Sequence, residues 1–317
     1  MKSGAKKVII AALAANLLIA ATKAVAAWLT GSSAILSEAI HSLVDSGNQV
    51  LLLHGRRQAA RAPDEEFPFG HGKEIYFWSF VVSILVFSLG SGLSLFEGIS
   101  HILSPAGMRN VGVNYTIIAA SIIFEGISWI VSIREFRKAK AVSQSYLEAI
   151  RKGKDPSMFL VVLEDSAALL GLFAALAGIF LAEATGNPVY DGAASVVIGL
   201  ILGGTAILIA KETKGLLVGE AASREVIQTI REIVSHGEHV EHVNEVLTLH
   251  MGPEYIVVTI SLDFVDEVSA GEVERTVPLL EAEIKRRVPE VQKVFIEAEA
   301  WRRPKLRSKL LEGTVGK

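Results

Sequence analysis

Residues 26–49 read AAWLTGSSAILSEAIHSLVDSGNQ, an apolar stretch that carries three ionisable side chains, Glu38, His41 and Asp45. His41 and Asp45 are four residues apart, so a helix would place both on one face, one turn from each other. An acidic side chain within a membrane helix costs roughly 2.5–3.5 kcal/mol on insertion scales, and its presence therefore predicts a functional site. The fold depends on whether this stretch crosses a membrane.

The chain on both sides of this stretch is a series of apolar segments, each long enough to cross a hydrocarbon core roughly 30 Å thick. Six spans are predicted, near residues 8–29, 33–54, 75–103, 111–133, 157–182 and 189–210. They must be helices, because unpaired backbone groups are costly in lipid. Lys and Arg concentrate before span one, in alternate loops and after span six, so the positive-inside rule places both termini in the cytoplasm. With no transit peptide before Val8, we expect a multi-pass protein of a prokaryotic inner membrane.

The overall composition excludes several classes of protein. The 317 residues are 50% hydrophobic and 21% charged, which is too apolar for an ordinary soluble enzyme and too charged for membrane spans alone. A net charge of -3 argues against nucleic-acid binding. Because the chain has no Cys, a bound metal must use His, carboxylate or backbone oxygen ligands.

From about Thr213 the composition becomes that of a soluble domain. Periodicity predicts a helix, two strands, a helix and a strand, over 224–236, 245–250, 255–264, 269–288 and 291–299. The predicted organisation is a six-helix membrane domain (1–212), a cytoplasmic α+β domain (213–300) of ferredoxin-like or metallochaperone-like order αββαβ, and a basic, flexible tail (301–317).

Span five carries a second pair of acidic residues, Glu164 and Asp165. At a rise of about 1.5 Å per residue, Asp45 lies roughly 18 Å below the outer surface and Asp165 roughly 12 Å above the inner one, which is the same level. An imidazole and carboxylates suit a divalent ion such as Zn²⁺, and they also bind protons, since His has a reference pKa of about 6.5. A site that can bind either a metal ion or protons is the least that metal–proton exchange requires. The alternative is that they are interhelical hydrogen bonds that fasten the bundle.

Other polar residues of the spans have two interpretations each. Glu125 in span four and Asn16 in span one are either partners or proton relays of the metal site, or packing hydrogen bonds. Lys23, Glu97 and Asp191 lie nearer the outer ends, where we expect the side chains to snorkel towards the surface.

The stretch 26–49, the run FPFGHGKE at 67–74, the acidic centre of span five and the small α+β domain together resemble the cation diffusion facilitators, which transport zinc and other divalent metals. HSLVDSGNQ and LEDSAALLG are most similar to the branch that includes the mitochondrial zinc transporter of animals. The resemblance implies a homodimer with six spans per protomer, which exchanges cytoplasmic metal for protons by alternating access. It maps His41, Asp45 and Asp165 onto a transport site between spans two and five, and Lys73 onto a charge contact at the dimer interface.

The sequence departs from the family pattern at three places. Val161 stands where family members usually carry His or Asp, so the fourth ligand is Glu164, Glu125 or water. Because the site then has fewer nitrogen ligands, Mn²⁺, Fe²⁺ and Co²⁺ are alternatives to zinc. Phe67 stands where the family often has His, so one usual ligand of the loop between spans two and three is absent. His71 and Asp64 therefore form either a peripheral metal site or a hydrogen bond within the loop. In the cytoplasmic domain, the residues that correspond to metal ligands of some relatives are Asn244, Ser261, Glu297 and Glu299. This set is poor in nitrogen ligands, and we expect the domain to serve dimerisation.

The sequence therefore predicts a proton-coupled efflux transporter of divalent cations, a secondary transporter and not an enzyme, with no organic cofactor. Its expected partners are a second copy of the chain, the divalent cation, protons and membrane lipid, but no nucleic acid. A membrane-bound metal sensor or scaffold that signals through its cytoplasmic domain is the alternative. An intramembrane hydrolase is disfavoured, because HExxH is absent and no nucleophile motif accompanies the carboxylates.

Overall fold

The computed structural model describes residues 3–140 and 144–301, with side chains from residue 16 onwards apart from that of residue 139. These residues divide into two compact units, and the boundary along the chain lies between Leu217 and Val218. The predicted basic tail lies outside the described residues except for Trp301.

The first unit is helical. Its described helices are α1 (Ser3–Thr30), α2 (Ser33–Ala59), α3 (Glu74–Leu103), α4 (Val111–Ala139), the short α5 (Tyr146–Lys152), α6 (Pro156–Thr185) and α7 (Val189–Val218). Among the described residues, α3, α4, α6 and α7 are long and apolar enough to cross a membrane. Four of the six predicted spans thus have the length and hydropathy of membrane helices. The spans assigned to α1 and α2 stay a prediction, since α2 carries several polar side chains along its 27 residues.

Local signals explain where the helices begin and end. Gly31, with a φ of +72°, makes the turn after α1, and the Ser32 side chain caps α2 by accepting a hydrogen bond from the Ile35 N–H. Asp155 caps α6, with Pro156 at its first position, and Gly186 ends it in the left-handed conformation. The helix α5, which the periodicity did not predict, begins at the Ser145 cap.

Helices α3 and α7 approach each other at glycines. A Cβ atom at Gly98 would lie 2.7 Å from the Val196 backbone nitrogen and 2.8 Å from the Gly192 oxygen, so only glycine fits there. Two turns before Gly98 in α3, a π-helical segment (Val86–Ser91) ends at Ser91, whose Oγ donates to the Gly199 carbonyl at 2.8 Å. Small residues that let backbones meet are the usual basis of helix packing in membranes.

The second unit consists of α8 (Arg224–Ser235), β1 (Val240–Gly252), β2 (Tyr255–Phe264), α9 (Ala270–Arg287) and β3 (Val291–Ala298). The sheet order is β1-β2-β3, with β1 antiparallel and β3 parallel to β2. The core contains Ile256, Val258, Ile260 and Leu262 of the central strand, together with apolar residues of α8 and α9. The unit has the predicted α+β content, although β1 begins five residues earlier than expected; its ferredoxin-like class stays a prediction.

Candidate functional site

A cavity of about 160 Å³ lies among α1, α2, α4 and α6. Its polar lining comes from all four helices: Asn16, Ser42, Asp45, Gln49, Glu125, Ser128, Glu164 and Asp165. Five residues singled out in the sequence therefore line one cavity: Asn16, Asp45, Glu125, Glu164 and Asp165. For Asn16 and Glu125, the alternative interpretation was a packing hydrogen bond.

On the α2 side, His41 is buried one turn from Asp45. His41 Nδ1 lies 3.4 Å from Asp45 Oδ1, but the two atoms lack the geometry of a hydrogen bond. Among the described residues, both ring nitrogens of His41 and Asp45 Oδ1 are buried with no hydrogen-bond partner. Leaving such an atom without a partner costs about 1–3 kcal/mol. The pair therefore has nitrogen and oxygen atoms that could coordinate a cation and that have no other partner.

On the α6 side, the two adjacent carboxylates face different helices. Glu164 Oε1 accepts a hydrogen bond from Asn48 Nδ2 of α2 at 2.7 Å. Asp165 Oδ2 accepts from Ser132 Oγ of α4 at 2.5 Å and from Ser128 Oγ at 3.2 Å. This divergence follows from the roughly 100° between successive residues on a helix.

The predicted ligands do not form a common coordination sphere in this conformation. Within residues 3–140 and 144–301, no three His, Asp or Glu side chains are close enough to hold one metal ion. In this conformation Glu164 is hydrogen-bonded to Asn48 of α2 and Asp165 to Ser132 of α4. The assignment of His41, Asp45, Asp165 and Glu164 as metal ligands stays a prediction.

The snorkelling interpretation of Lys23 is wrong. The side chain is fully buried, with Nζ 3.2 Å from Glu38 Oε2 and donating to Ser42 Oγ at 2.8 Å. This ion pair joins α1 to α2 one turn before His41. The sequence signal was two opposite charges in neighbouring spans, but spacing alone does not show which residues of two helices meet.

Asp191 is also buried, contrary to the snorkelling interpretation. Its Oδ2 accepts from the Ser33 N–H at 2.6 Å, its Oδ1 accepts from Ser32 Oγ at 2.7 Å, and His101 Nε2 lies 3.8 Å away. The carboxylate of α7 therefore holds the N-terminus of α2, the helix that carries His41 and Asp45. A carboxylate at this end also complements the helix dipole.

The loop between α2 and α3 brings Asp64 and His71 together. His71 Nε2 lies 2.9 Å from Asp64 Oδ2, and the Phe67 N–H donates to the other oxygen at 2.8 Å. The hydrogen bond with His71, more than that from Phe67, lowers the pKa of the exposed Asp64 carboxyl. Nearby, Lys73 Nζ donates to the Leu217 carbonyl at 3.3 Å. The peripheral metal site and the dimer contact of Lys73 stay predictions.

In the second unit, three of the four residues that correspond to metal ligands bind one another. Asn244 Nδ2 donates to Ser261 Oγ at 3.2 Å, and Ser261 Oγ donates to Glu299 Oε2 at 3.0 Å. These contacts fasten β1 and β2 to the end of β3.

Comparison with known proteins gives a consistent family match. The sequence profile of the cation efflux transmembrane domain matches residues 9–218. The chain is 34% identical over 262 residues to the mitochondrial proton-coupled zinc antiporter SLC30A9 of Xenopus laevis, covering 82% of this chain and 47% of that protein. It is 30% identical over 260 residues to metal tolerance protein C4 of Arabidopsis thaliana, covering 82% and 57%. The cation-efflux pump FieF of Escherichia coli is 28% identical over 282 residues, 88% of each chain. The chain thus spans about half the length of the first two relatives.

Proposed function

Because the chain belongs to the cation efflux family, near the SLC30A9 branch, we propose that it exports divalent transition-metal ions in exchange for protons, with Zn²⁺ as the preferred substrate. The names of the relatives support this proposal, since they include proton-coupled zinc antiporters and a cation-efflux pump. Mn²⁺, Fe²⁺ and Co²⁺ are the other substrates that a carboxylate-rich site would accept.

The proposed ion site consists of His41 and Asp45 of α2 and Asp165 of α6, with Glu164 as the fourth ligand. The observation that carries it is the convergence of Asp45, Glu164 and Asp165 on one cavity, beside a buried His41 whose ring nitrogens have no hydrogen-bond partner among the described residues. Glu125 and Asn16 line the same cavity and would serve as a relay for protons. A divalent ion would draw Asp165 and Glu164 from their hydroxyl and amide donors, and protonation of the ligands would release it.

The proposed cycle is alternating access, in which α2 and α6 expose this site first to the cytoplasm and then to the other side. The proposal includes six spans with both termini in the cytoplasm of a prokaryotic cell, and a homodimer in which Lys73 contributes an interface contact. It also assigns residues 1–212 to the membrane and residues 213–300 to a ferredoxin-like cytoplasmic domain that favours dimerisation.

Transport measurements on purified protein in liposomes test the site. With zinc inside a vesicle and an imposed pH gradient, Asp45→Asn and Asp165→Asn should each abolish flux, because each removes a charge that binds the ion while preserving the shape of the side chain. Glu183→Gln is the matched control, since Glu183 is an exposed acid of the same helix as Asp165. All three variants should be inserted and folded. Wild-type flux in both Asp variants would remove the site assignment.

The same assay separates the remaining alternatives. A panel of Zn²⁺, Mn²⁺, Fe²⁺ and Co²⁺, compared between wild type and Glu164→Ala, identifies the substrate and shows whether Glu164 is the fourth ligand. A metal-dependent change in residues 218–301 without flux of any ion would favour a membrane-bound sensor over a transporter.

A further inference from the structure

The ion pair between Lys23 and Glu38 lies outside the cavity but adjoins it. Both side chains are at most 1% exposed, and Lys23 also donates to Ser42, which lines the cavity together with Asp45. Glu38 precedes Asp45 by seven residues, which is roughly 10 Å along α2 towards its N-terminal end. In the proposed topology this is the direction in which the ion leaves.

Lys23 satisfies only half of the Glu38 carboxylate. Within the described part of the chain, Glu38 Oε1 is buried with no hydrogen-bond partner, as are both ring nitrogens of His41. Glu38 and His41 are three residues apart and therefore share one face of α2. A buried carboxylate oxygen and imidazole nitrogens, neighbouring and unsatisfied, are ligand types that Zn²⁺ and Co²⁺ prefer.

The opposing helix is shaped for this carboxylate. A Cβ atom at Gly171 of α6 would overlap with Glu38 Oε1, so the absence of a side chain there makes room for the unsatisfied oxygen. Gly171 lies six residues beyond Asp165, on the side of α6 that faces away from its cytoplasmic end in the proposed topology. The carboxylate is therefore seated between α2 and α6, the two helices that carry the proposed transport site.

We propose that Glu38 and His41 form a second position for a divalent cation, between the cavity and the N-terminal end of α2, and that the Lys23 ammonium acts there as a built-in competing cation. This inference rests on the proposed function. An ion released from Asp45 and Asp165 moves between one and two turns along α2, to His41 and Glu38, and displaces Lys23. The return of the ammonium to Glu38 then repels the ion and closes the route.

The test compares two variants that differ only in the Glu38 carboxylate: Lys23→Met, and the double variant Lys23→Met/Glu38→Gln. Without the competing ammonium, the first should bind one more equivalent of Co²⁺ per chain than the second, measured by metal analysis and visible absorption of the detergent-purified protein. In liposomes, the double variant should be folded, should lose about tenfold in zinc flux at saturation and should keep its KM, because only release is impaired. A merely structural ion pair would instead be rescued by this neutral pair.

Equal Co²⁺ counts in the two variants, or wild-type flux in the double variant, would overturn the inference. If Lys23→Met does not insert, Gly171→Ala carries the test with both charges retained. Gly171→Ala should lower flux at saturating zinc without changing KM. The control is Gly204→Ala, where a Cβ meets nothing within 4 Å and flux should stay at the wild-type level. Wild-type flux in Gly171→Ala would overturn the inference. The proposed function fails separately, if wild type itself shows no flux, and the Co²⁺ comparison is unaffected by that result.

Discussion

Removing the Asp191 carboxylate should loosen the helix that carries the proposed ligands. In Asp191→Ala, the Ser33 N–H and the Ser32 hydroxyl lose their acceptors inside the protein, at 2.6 and 2.7 Å. Hydrogen bonds to a charged group contribute about 1.5–3 kcal/mol each, so the two together are worth about 3–6 kcal/mol. The upper end of this range applies only if no water replaces the carboxylate, and we therefore expect a loss of about 3–4 kcal/mol in the free energy of unfolding. Asp191→Asn keeps one acceptor oxygen and should lose about half as much.

The assay is unfolding of the purified protein in mixed micelles, titrated with SDS and followed by tryptophan fluorescence. Glu183→Ala is the control, since its carboxylate is exposed and accepts one hydrogen bond, from Tyr115 at 2.7 Å. That variant should lose no more than about 1 kcal/mol. The order Asp191→Ala, Asp191→Asn, Glu183→Ala, from the most to the least destabilised, is the specific expectation.

Two results would refute this reasoning. If Asp191→Ala and Glu183→Ala were equally stable, the buried carboxylate would not be holding the N-terminus of α2. If Asp191→Asn were as unstable as Asp191→Ala, the charge rather than the accepted hydrogen bonds would be the main term, because the amide oxygen still accepts one of them.

Two further predictions concern packing and the loop. Gly98→Ala should destabilise the protein by about 1–3 kcal/mol in the same titration, because the new methyl group meets the backbone of α7, while Gly126→Ala, with nothing within 4 Å, should be neutral. The hydrogen bond with His71 lowers the pKa of Asp64, so the contact is fully formed above the ordinary pKa of about 3.9 and is lost as the pH falls through the lower value in the folded protein. His71→Gln should therefore raise the pKa of Asp64 in a carboxyl NMR titration, and an unchanged midpoint would contradict this.

The elements that the sequence predicted well are those set by long-range periodicity. Helices α3, α4, α6 and α7 follow from runs of apolar residues and begin within one residue of the expectation, although α4, α6 and α7 end six, three and eight residues later than expected. The elements β2 and α9 follow from alternation and helical spacing, and their bounds are within one residue of the expectation. The π-helical segment Val86–Ser91 and the short helix α5 were not predicted. The first is a local change of hydrogen-bond pattern within an uninterrupted apolar run, and the second has only seven residues.

The sequence predicted that Asp45 and Asp165 lie at one level, but not the contacts that each carboxylate makes. Depth and topology brought Asp45 and Asp165 to one level, and the structure places both on one cavity. Which way a carboxylate turns depends on donors from other helices, as with Asn48 for Glu164 and Ser132 for Asp165. The same holds for Lys23, whose burial depends on Glu38, a partner that no spacing rule identifies.

The hydrogen-bond donors beside Glu164 and Asp165 matter for the step in which the empty site re-orients to the side where it binds the next ion. In the proposed cycle, the carboxylates must be stable both with a divalent ion and without one, or the empty site would not re-orient. Ser128, Ser132 and Asn48 supply hydrogen bonds that take the place of the ion for Asp165 and Glu164. His41 and Asp45 have no such substitute among the described residues. The α2 half of the site is therefore where a proton is most needed when the ion leaves, and the α6 half is where hydroxyl and amide donors do the same work.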